Sequence, residues 1–260
     1  MQSYPLFHVD AFTDQLFGGN PAVVCPLETW LPEDTMQRLA AENNLSETAF
    51  FIKEEGGYHV RWFTPEYEID LCGHATLATA FVLFEHLGYE GDTIRFSCKS
   101  GLLEVTRKDG LIQLDFPTRI PAQAEAPEAL LKGINIQPAQ ILKSRDYFLV
   151  YNQQSEVADF RPDFTYLNQL DCVGIIVTAP GRDVDFVSRF FVPNSVIGED
   201  PVTGSAHCNL IPYWSGQLNK TTLTARQISA RGGQLTCTQA GDRVLMAGKA
   251  VLYMKGEYYL

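Results

Sequence analysis

Short runs of alternating apolar and polar residues dominate the chain and predict a structure built mainly from strands. Residues 7–12, 47–53 and 58–63 are typical of strands that have one buried face, and a further strand is predicted at 227–230. Turn residues separate these segments, as Gly56 and Gly57 do between the last two. The pattern therefore predicts several short strands, joined by tight turns, in each half of the chain.

Three helices are expected between the strands, at residues 32–42, at residues 74–87 and from about Ser205 onwards. Apolar residues nearly surround the second of these segments, so this helix is predicted to be buried within a sheet, with Gly88 as its C-terminal stop. Pro212 lies within two turns of the start of the third helix. It predicts a kink there, because the proline ring removes a backbone hydrogen bond.

The two halves of the chain repeat one another. Residues 61–65 (RWFTP) reappear as 189–193 (RFFVP), and residues 73–75 (GHA) as 204–206 (GSA). A third block aligns Phe96, Gly101 and Leu103 with Ile228, Gly233 and Leu235. The offsets of 128, 131 and 132 residues change little along the chain, and three blocks in the same order predict a duplicated module rather than chance similarity.

A chain of 260 residues is close to the upper limit for one hydrophobic core and suits two domains. The prolines that follow residue 116 predict a linker. We therefore expect an N-terminal domain at 1–117 and a C-terminal domain at 118–248, with a last strand at about 249–260 that can return to the first domain. Two such modules, packed face to face, would enclose a cleft.

Composition narrows the possible partners. The net charge of −11 argues against nucleic acid or an anionic membrane as a partner, because both repel an acidic surface. The sequence shows no signal-peptide pattern and no apolar run long enough to span a membrane. Six scattered cysteines predict reduced thiols in a cytoplasmic protein. CxxC and HExxH patterns are absent, so no metal site is expected.

In each half a loop with acidic residues runs into a glycine and then a helix. The first loop contains Asp70, Cys72 and Gly73, and the second contains Asp200 and Gly204, followed by Ser205. Helix starts offer unpaired N–H groups and partial positive charge, and they can hold a carboxylate or stabilise charge that develops on a carbon acid. Ordinary helix capping is the alternative for either loop alone. The duplication favours a ligand.

Two side chains near the first loop are suited to proton transfer. Glu47 begins a predicted strand and is followed by apolar residues, an environment that suits a general acid or base. His74 follows Gly73, and at a helix start its imidazole is expected to be neutral and able to pass a proton or bind a substrate. A surface or capping role for Glu47 and a structural role for His74 are the alternatives. His207 lies further inside its helix and is ambiguous.

Four ordered segments carry a resemblance to a known family. They are residues 9–25 (with VDAFT and FGGNPAVVC), 44–51 (NLSETAFF), 61–75 (ending in LCGHA) and 199–206 (EDPVTGSA). Together they resemble the phenazine-biosynthesis PhzF-like family. The resemblance implies an α+β fold of the diaminopimelate-epimerase type: two pseudo-symmetric domains, each a strongly curved and mostly antiparallel sheet wrapped around a central helix.

The resemblance also implies isomerase chemistry in the interdomain cleft on a small carboxylate-bearing substrate, without a metal or organic cofactor. The family's proton-shuttling glutamate falls on Glu47, and its substrate-contacting histidine and acid fall on His74 and Asp200. Substrate contacts are expected at Gly73, Gly204 and Ser205, and also at Asn20 and Ser46, which lie within the matching segments. Members commonly form homodimers, so a homodimer is expected. The resemblance does not identify the natural substrate or pathway.

Two other functions are weighed against this one. A two-thiol epimerase or racemase of the same fold would need a cysteine on each face of the substrate. Cys72 precedes Gly73, but Thr203 precedes Gly204, and Cys208 lies a full turn later. A non-catalytic binder of small acids would use the same helix starts, but it would gain little from a carboxylate at position 47 beside an anionic ligand.

Overall fold

The computed structural model describes all residues from Met1 to Leu260 and contains eighteen strands and six helices. The first half contains β1 (Ser3–Ala11), β2 (Asn20–Leu27), α1 (Glu33–Asn43), β3 (Glu47–Glu54), β4 (Gly57–Phe63), β5 (Glu68–Ile69), α2 (Gly73–His86), β6 (Thr93–Cys98), β7 (Gly101–Lys108) and β8 (Leu111–Pro117).

The second half contains β9 (Ala122–Gln123), α3 (Glu128–Lys132), β10 (Gln140–Lys143), β11 (Tyr147–Val150), α4 (Gln154–Ala158), α5 (Phe164–Leu167), β12 (Ile175–Pro180), β13 (Phe186–Phe191), β14 (Glu199–Asp200), α6 (Gly204–Leu218), β15 (Thr222–Gln227), β16 (Gly233–Ala240), β17 (Arg243–Gly248) and β18 (Ala250–Tyr259). The chain forms two compact units. The first comprises Met1–Phe116 with Leu245–Leu260, and the second comprises Pro117–Val244.

The sheet of the first unit has the strand order β18–β1–β2–β3–β4–β6–β7–β8, and β5 also pairs with β4. Only the pairs β2–β3 and β4–β6 are parallel. The sheet curves around α2, which contacts β1, β2, β3 and β18. Every residue of this helix except Phe81, Glu85 and His86 is buried, as expected for a helix that is apolar on nearly all sides. The prediction of a buried central helix is confirmed.

The second unit repeats this arrangement. Its strand order is β9–β10–β11–β12–β13–β15–β16, β14 also pairs with β13, and the parallel pairs are β11–β12 and β13–β15. Each of these pairs has a counterpart of the same direction in the first unit. The two units therefore share one topology, which confirms the duplication predicted from the sequence.

The structure corrects the third block of the sequence alignment. Tyr58 pairs with Phe96 in the first unit, and Phe186 pairs with Ala225 in the second. The structural partner of Phe96 is therefore Ala225, not Ile228. The predicted strand at 227–230 is also wrong, because β15 ends at Gln227 and a turn follows. This turn is three residues longer than the one between β6 and β7, so the alignment of Gly101 with Gly233 stands.

Two matching ion pairs, one in each unit, fix the loops that precede α2 and α6. Arg61 donates through Nε and Nη2 to the carboxylate of Glu68, at 2.8 and 2.7 Å. Arg189 makes the same two-pronged contact with Glu199, at 2.7 and 2.9 Å. Both glutamates lie on the short strands β5 and β14, so each fork fixes the backbone that leads to a helix start.

The helix α6 continues through Pro212 as far as Leu218. Proline cannot donate to the carbonyl of Cys208, the residue four positions earlier. That carbonyl instead accepts a hydrogen bond from the backbone N–H of Arg119, at 2.8 Å. An outside donor therefore satisfies the group that proline leaves free, and the helix does not end there. No helix in the protein combines the length and the apolar character that crossing a membrane requires.

Candidate functional site

Glu47 is placed by the crossover between two parallel strands. It is the first residue of β3, where it pairs with Ala22 of β2, and α1 makes the connection. That helix ends at Asn43, and the next residue, Asn44, adopts the left-handed conformation with φ of 49° and turns the chain back towards the sheet. The Glu47 side chain is 14% exposed and is therefore largely buried. Ser46, immediately before it, is buried.

The side chain of His74 lies against this carboxylate. His74 is the second residue of α2 and is 4% exposed, and its Nε2 atom lies 3.0 Å from Oε2 of Glu47. Neither atom has another hydrogen-bond partner within the protein. The contact is therefore a close approach between two buried ionisable groups, and the sequence separation of the two residues gave no indication of it.

Two further side chains face the other imidazole nitrogen. Nδ1 of His74 lies 3.1 Å from Nδ2 of Asn20 and 3.5 Å from Sγ of Cys72. Asn20 begins β2 and is fully buried, whereas Cys72 is the residue immediately before α2. A primary amide can present either its nitrogen or its oxygen, so Asn20 can serve a neutral or a charged imidazole. The structure thus places Asn20 behind His74, where it orients the ring.

The charge state of His74 differs from the sequence-based expectation. Burial alone would lower the pKa of His74, but the neighbouring Cys72 sulfur and Glu47 carboxylate outweigh burial and raise this pKa well above its ordinary value. Burial, together with the Glu47 charge, raises the pKa of the Cys72 thiol to about 11. The direction of this pKa is opposite to that of the neutral imidazole expected from the sequence, because the carboxylate 3.0 Å from Nε2 favours the charged form.

These groups offer three different types of metal-ligand atom. One carboxylate oxygen of Glu47, the sulfur of Cys72 and one ring nitrogen of His74 all lie within 4.8 Å of one another. The sequence contains no metal-binding motif because Glu47 is distant along the chain from the other two residues. All six cysteines are free thiols.

The start of α6 has a different set of neighbours. Thr203, which precedes the helix, donates its hydroxyl to Oδ2 of Asp200, so it does not cap the helix. Gln227 braces the same loop: its Oε1 accepts from the backbone N–H of Thr203 at 2.9 Å, and its Nε2 donates to the carbonyl of Asp200 at 2.7 Å. Neither α2 nor α6 has a side-chain cap. Ordinary side-chain capping, the alternative left open by the sequence, therefore does not explain these loops.

A cation lies beside Ser205 at this second start. Nη2 of Arg145 donates to Oγ of Ser205 at 3.2 Å, and the same guanidinium forks onto the fully buried carboxylate of Asp146. His207 points back into the helix, where Nδ1 donates to the carbonyl of Thr203 at 2.8 Å. Burial lowers the pKa of His207 to about 4, against a smaller raising effect of that carbonyl, so His207 is neutral.

The structure thus gathers the sequence-predicted residues into two groups. Asn20, Ser46, Glu47, Gly73 and His74 lie in the first unit, whereas Asp200, Gly204 and Ser205 lie in the second. Sequence reasoning missed the contact of Cys72 with His74, although the position of Cys72 before Gly73 was a signal. It also missed Arg145, for which the sequence offers no signal, because 60 residues separate it from Ser205.

Known proteins share both the sequence and this architecture. A family model described as phenazine biosynthesis-like protein (PhzC-PhzF) matches residues 9–256. An uncharacterized isomerase from Pseudomonas aeruginosa is 49% identical over 255 residues, covering 98% of each chain. A phenazine biosynthesis-like domain-containing protein from Bos taurus is 39% identical, covering 97% of this chain and 98% of its own. The chain belongs to the PhzF-like family.

Solved structures agree with this assignment. A phenazine biosynthesis protein of the PhzF family from Enterococcus faecalis superposes with a TM-score of 0.96 at 52% identity, covering all of both chains. A predicted epimerase from Pseudomonas aeruginosa has a TM-score of 0.76 at 19% identity over 99% of both chains, which shows a shared fold. The expected diaminopimelate-epimerase-like fold is confirmed.

Proposed function

We propose that the protein is an isomerase that moves a proton between carbon atoms of a small carboxylate-bearing substrate, with Glu47 as base and then as acid. The observation that carries the proposal is the contact between Oε2 of Glu47 and Nε2 of His74 at an uncapped helix start. A carboxylate beside a buried imidazole is suited to collect a proton and return it. The names of the isomerase relatives support the same class of reaction.

The charges of the pair favour the first step. Before reaction, the Glu47 carboxylate balances the His74 imidazolium, whose pKa is raised. When Glu47 takes a proton from a carbon atom of the substrate, Glu47 becomes neutral and the negative charge moves to the substrate. The imidazolium then faces the new anion, so one buried positive charge serves both states. The return of the proton to a different carbon atom completes the isomerisation.

The glycine-headed start of α2 supports the same step. Its first-turn N–H groups have no side-chain cap, and Gly73 places no side chain between them and a ligand. A substrate carboxylate, or the oxyanion that a carbon acid forms on ionisation, can accept hydrogen bonds there. This supplies charge stabilisation without a metal or an organic cofactor.

The second helix start has a proposed role in binding the same substrate. Arg145 places a cation next to Ser205, and the start of α6 is also uncapped. Both features suit an anion, as the sequence-based expectation for Gly204 and Ser205 requires. Asp200 is fixed by Thr203 and Gln227 and is proposed to contact the polar part of the substrate.

The alternatives receive less support from these residues. A thiol base at Cys72 would have to ionise against a pKa of about 11, and position 203 is threonine. A pure binder of small acids has no use for the Glu47–His74 pair, because a carboxylate repels an anionic ligand.

Deuterium exchange from solvent tests the proposal directly. The native protein in D2O is incubated with a panel of small unsaturated carboxylic acids, and incorporation of deuterium at carbon is followed by mass spectrometry. Glu47→Gln is expected to lower the exchange rate about 100- to 10,000-fold, the usual contribution of a general acid or base.

Glu54→Gln is the matched control, because Glu54 ends the same strand and is exposed. Its exchange rate should equal that of the native protein. Exchange that continues unchanged in Glu47→Gln would assign the base to another residue. Binding of the acids without any exchange in the native protein would favour the non-catalytic binder.

A further inference from the structure

The imidazole of His74 has a second edge that the proposed proton transfer does not use. Nδ1, on this edge, lies 3.1 Å from Nδ2 of Asn20, while Nε2 on the opposite edge lies 3.0 Å from Oε2 of Glu47. Asn20 is fully buried, and His74 is 4% exposed. The three side chains therefore form a row in which the ring lies between an amide and a carboxylate.

We propose that Asn20 is a positioning residue that keeps a proton on Nε2 of His74, facing Glu47, in both charge states of the ring. Its amide nitrogen donates to Nδ1 of the neutral imidazole, and its amide oxygen accepts from Nδ1–H of the imidazolium. Asn20 thus acts on the reaction through His74 rather than by touching the substrate. The effect on catalysis rests on the proposed function, whereas the effect on the ring does not.

The neutral ring is held by the contact seen in the structure. An amide nitrogen can only donate a hydrogen bond, so the Nδ1 atom opposite it must accept one. A neutral imidazole has one N–H proton, which then lies on Nε2 and points at Oε2 of Glu47. The other tautomer would place two hydrogens against each other at Nδ1 and two lone pairs against each other at Nε2. Asn20 therefore selects the tautomer that directs a hydrogen at Glu47.

The imidazolium needs an acceptor at Nδ1, because both of its nitrogens carry a proton. The ionisable groups beside the ring are Glu47, at Nε2, and Cys72, whose sulfur lies 3.5 Å from Nδ1. A thiol is a weak acceptor, and burial, together with the Glu47 charge, raises the pKa of Cys72 to about 11, so this thiol stays protonated near neutral pH. A half-turn of the Asn20 amide brings its oxygen to Nδ1 instead.

The backbone holds Asn20 in place for this role. Asn20 is the first residue of β2 and pairs with Ala11 of β1. Gly19, immediately before it, has a φ of 63°, and a Cβ atom there would lie 2.1 Å from the carbonyl oxygen of Ala11. Only glycine fits this turn. A fixed backbone leaves rotation of the amide as the smallest movement that exchanges its nitrogen and its oxygen.

Nuclear magnetic resonance of nitrogen-15-labelled protein tests the contact without a substrate and without changing Asn20. Burial lowers the pKa of His74 and the Glu47 carboxylate opposes this, so Glu47→Gln should bring the pKa into an accessible range. Above that pKa, we expect the ring proton on Nε2 and a scalar coupling across the hydrogen bond between Nδ2 of Asn20 and Nδ1 of His74. Below it, the coupling should vanish as the amide turns. A neutral ring protonated on Nδ1, or a coupling that is absent above the pKa or persists below it, would overturn the proposal.

Substitutions at position 20 should move the pKa of His74 in opposite directions. In the Glu47→Gln background, Asn20→Asp supplies only acceptors and should raise this pKa. Asn20→Leu should lower it, because an unpaired charged N–H costs more than an unpaired lone pair. Asn43→Leu is the matched control and should leave the pKa unchanged, since the Asn43 amide donates to Thr48 at 3.1 Å, not to His74. Shifts in the same direction for both substitutions, or no shift, would contradict the role of Asn20.

Kinetics connect the ring to the reaction. With an acid that the native protein exchanges, Asn20→Leu should lower the maximal exchange rate about 10- to 100-fold, the loss expected when one hydrogen bond to a charged group is removed. The acid concentration at half-maximal rate should change little. An increase in that concentration with an unchanged maximal rate would assign Asn20 to substrate binding instead. Absence of exchange in the native protein would contradict the proposed function, and the resonance measurements would still decide the role of Asn20.

Discussion

The two helix starts share one backbone topology but have different side chains. The strand registers place Gly174 at the position of Glu47, and the helix starts place Thr203 and Ser205 at the positions of Cys72 and His74. The first start therefore has an acid, a thiol and an imidazole, and the second has two hydroxyls and a nearby guanidinium. These side chains are the basis for proposing proton transfer at the first start and anion binding at the second.

Packing explains why the acid occurs only once. A Cβ atom built on Gly174 would lie 2.1 Å from Cζ of Phe190, because this buried aromatic ring occupies the space that a side chain at position 174 needs. The second unit thus cannot accommodate even alanine at this position without movement of a buried ring. The two units therefore differ in packing as well as in the side chains at their helix starts.

The pKa values of the buried histidines in the two helices are shifted in opposite directions. Neighbouring Cys72 and Glu47 outweigh burial and raise the pKa of His74, whereas burial lowers the pKa of His207 to about 4 and its carbonyl partner only partly opposes this. Both rings are almost completely removed from solvent. A negatively charged neighbour, rather than the helix start, therefore decides which imidazole is charged.

The largest expected effect concerns Gly174. Gly174→Ala should lower the free energy of unfolding by about 3 kcal/mol, at the upper end of the overpacking range, because the ring of Phe190 must move. Chemical denaturation measures the change. Gly216→Ala is the matched control: position 216 is in α6, has open space around it and should become more stable by up to about 1 kcal/mol. Equal stability of Gly174→Ala and the native protein would remove the packing explanation.

An intermediate effect is expected from His207. The unfolded imidazole binds a proton near its ordinary pKa of about 6.5, but the folded one does so only near 4. Stability from this group is therefore present above about pH 6.5 and is lost as the pH falls towards 4. Between pH 7 and pH 5, the native protein should lose about 2 kcal/mol more than His207→Gln. Parallel losses in the two proteins would show that His207 is not held neutral.

The smallest effect within an accessible pH range concerns His74, and its sign is opposite. Because its folded pKa is raised, its contribution to stability is complete below about pH 6.5 and is lost as the pH rises through the folded pKa. The stability difference between the native protein and His74→Gln should therefore shrink as the pH rises. Nuclear magnetic resonance of the ring sharpens the test: the pKa of His74 should fall in Glu47→Gln, and an unchanged value would assign the shift to another neighbour.

The sequence predicted some elements well and others poorly, for identifiable reasons. The helix at 74–87 and the strand at 47–53 are nearly correct, because periodicity and turn residues marked their limits. The strand at 227–230 was misplaced because the turn after β15 is longer than the turn after β6. In the sequence alone, this insertion cannot be distinguished from a shift of the whole repeat. At Pro212 the sequence predicted a kink, but it could not show that the carbonyl freed by the proline finds a donor, the N–H of Arg119, that is remote along the chain.

The sequence by itself determined the duplication, the two glycine-headed helices and the family, because each of these depends on local residue order. Only the tertiary structure decided which side chains meet: that His74 faces Glu47, that Cys72 and Asn20 lie behind the ring, and that Arg145 reaches Ser205. These contacts depend on strand register and on crossovers that bring distant segments together. The charge state of a buried imidazole follows from such contacts, since electrostatic interactions depend on distance in space rather than along the chain.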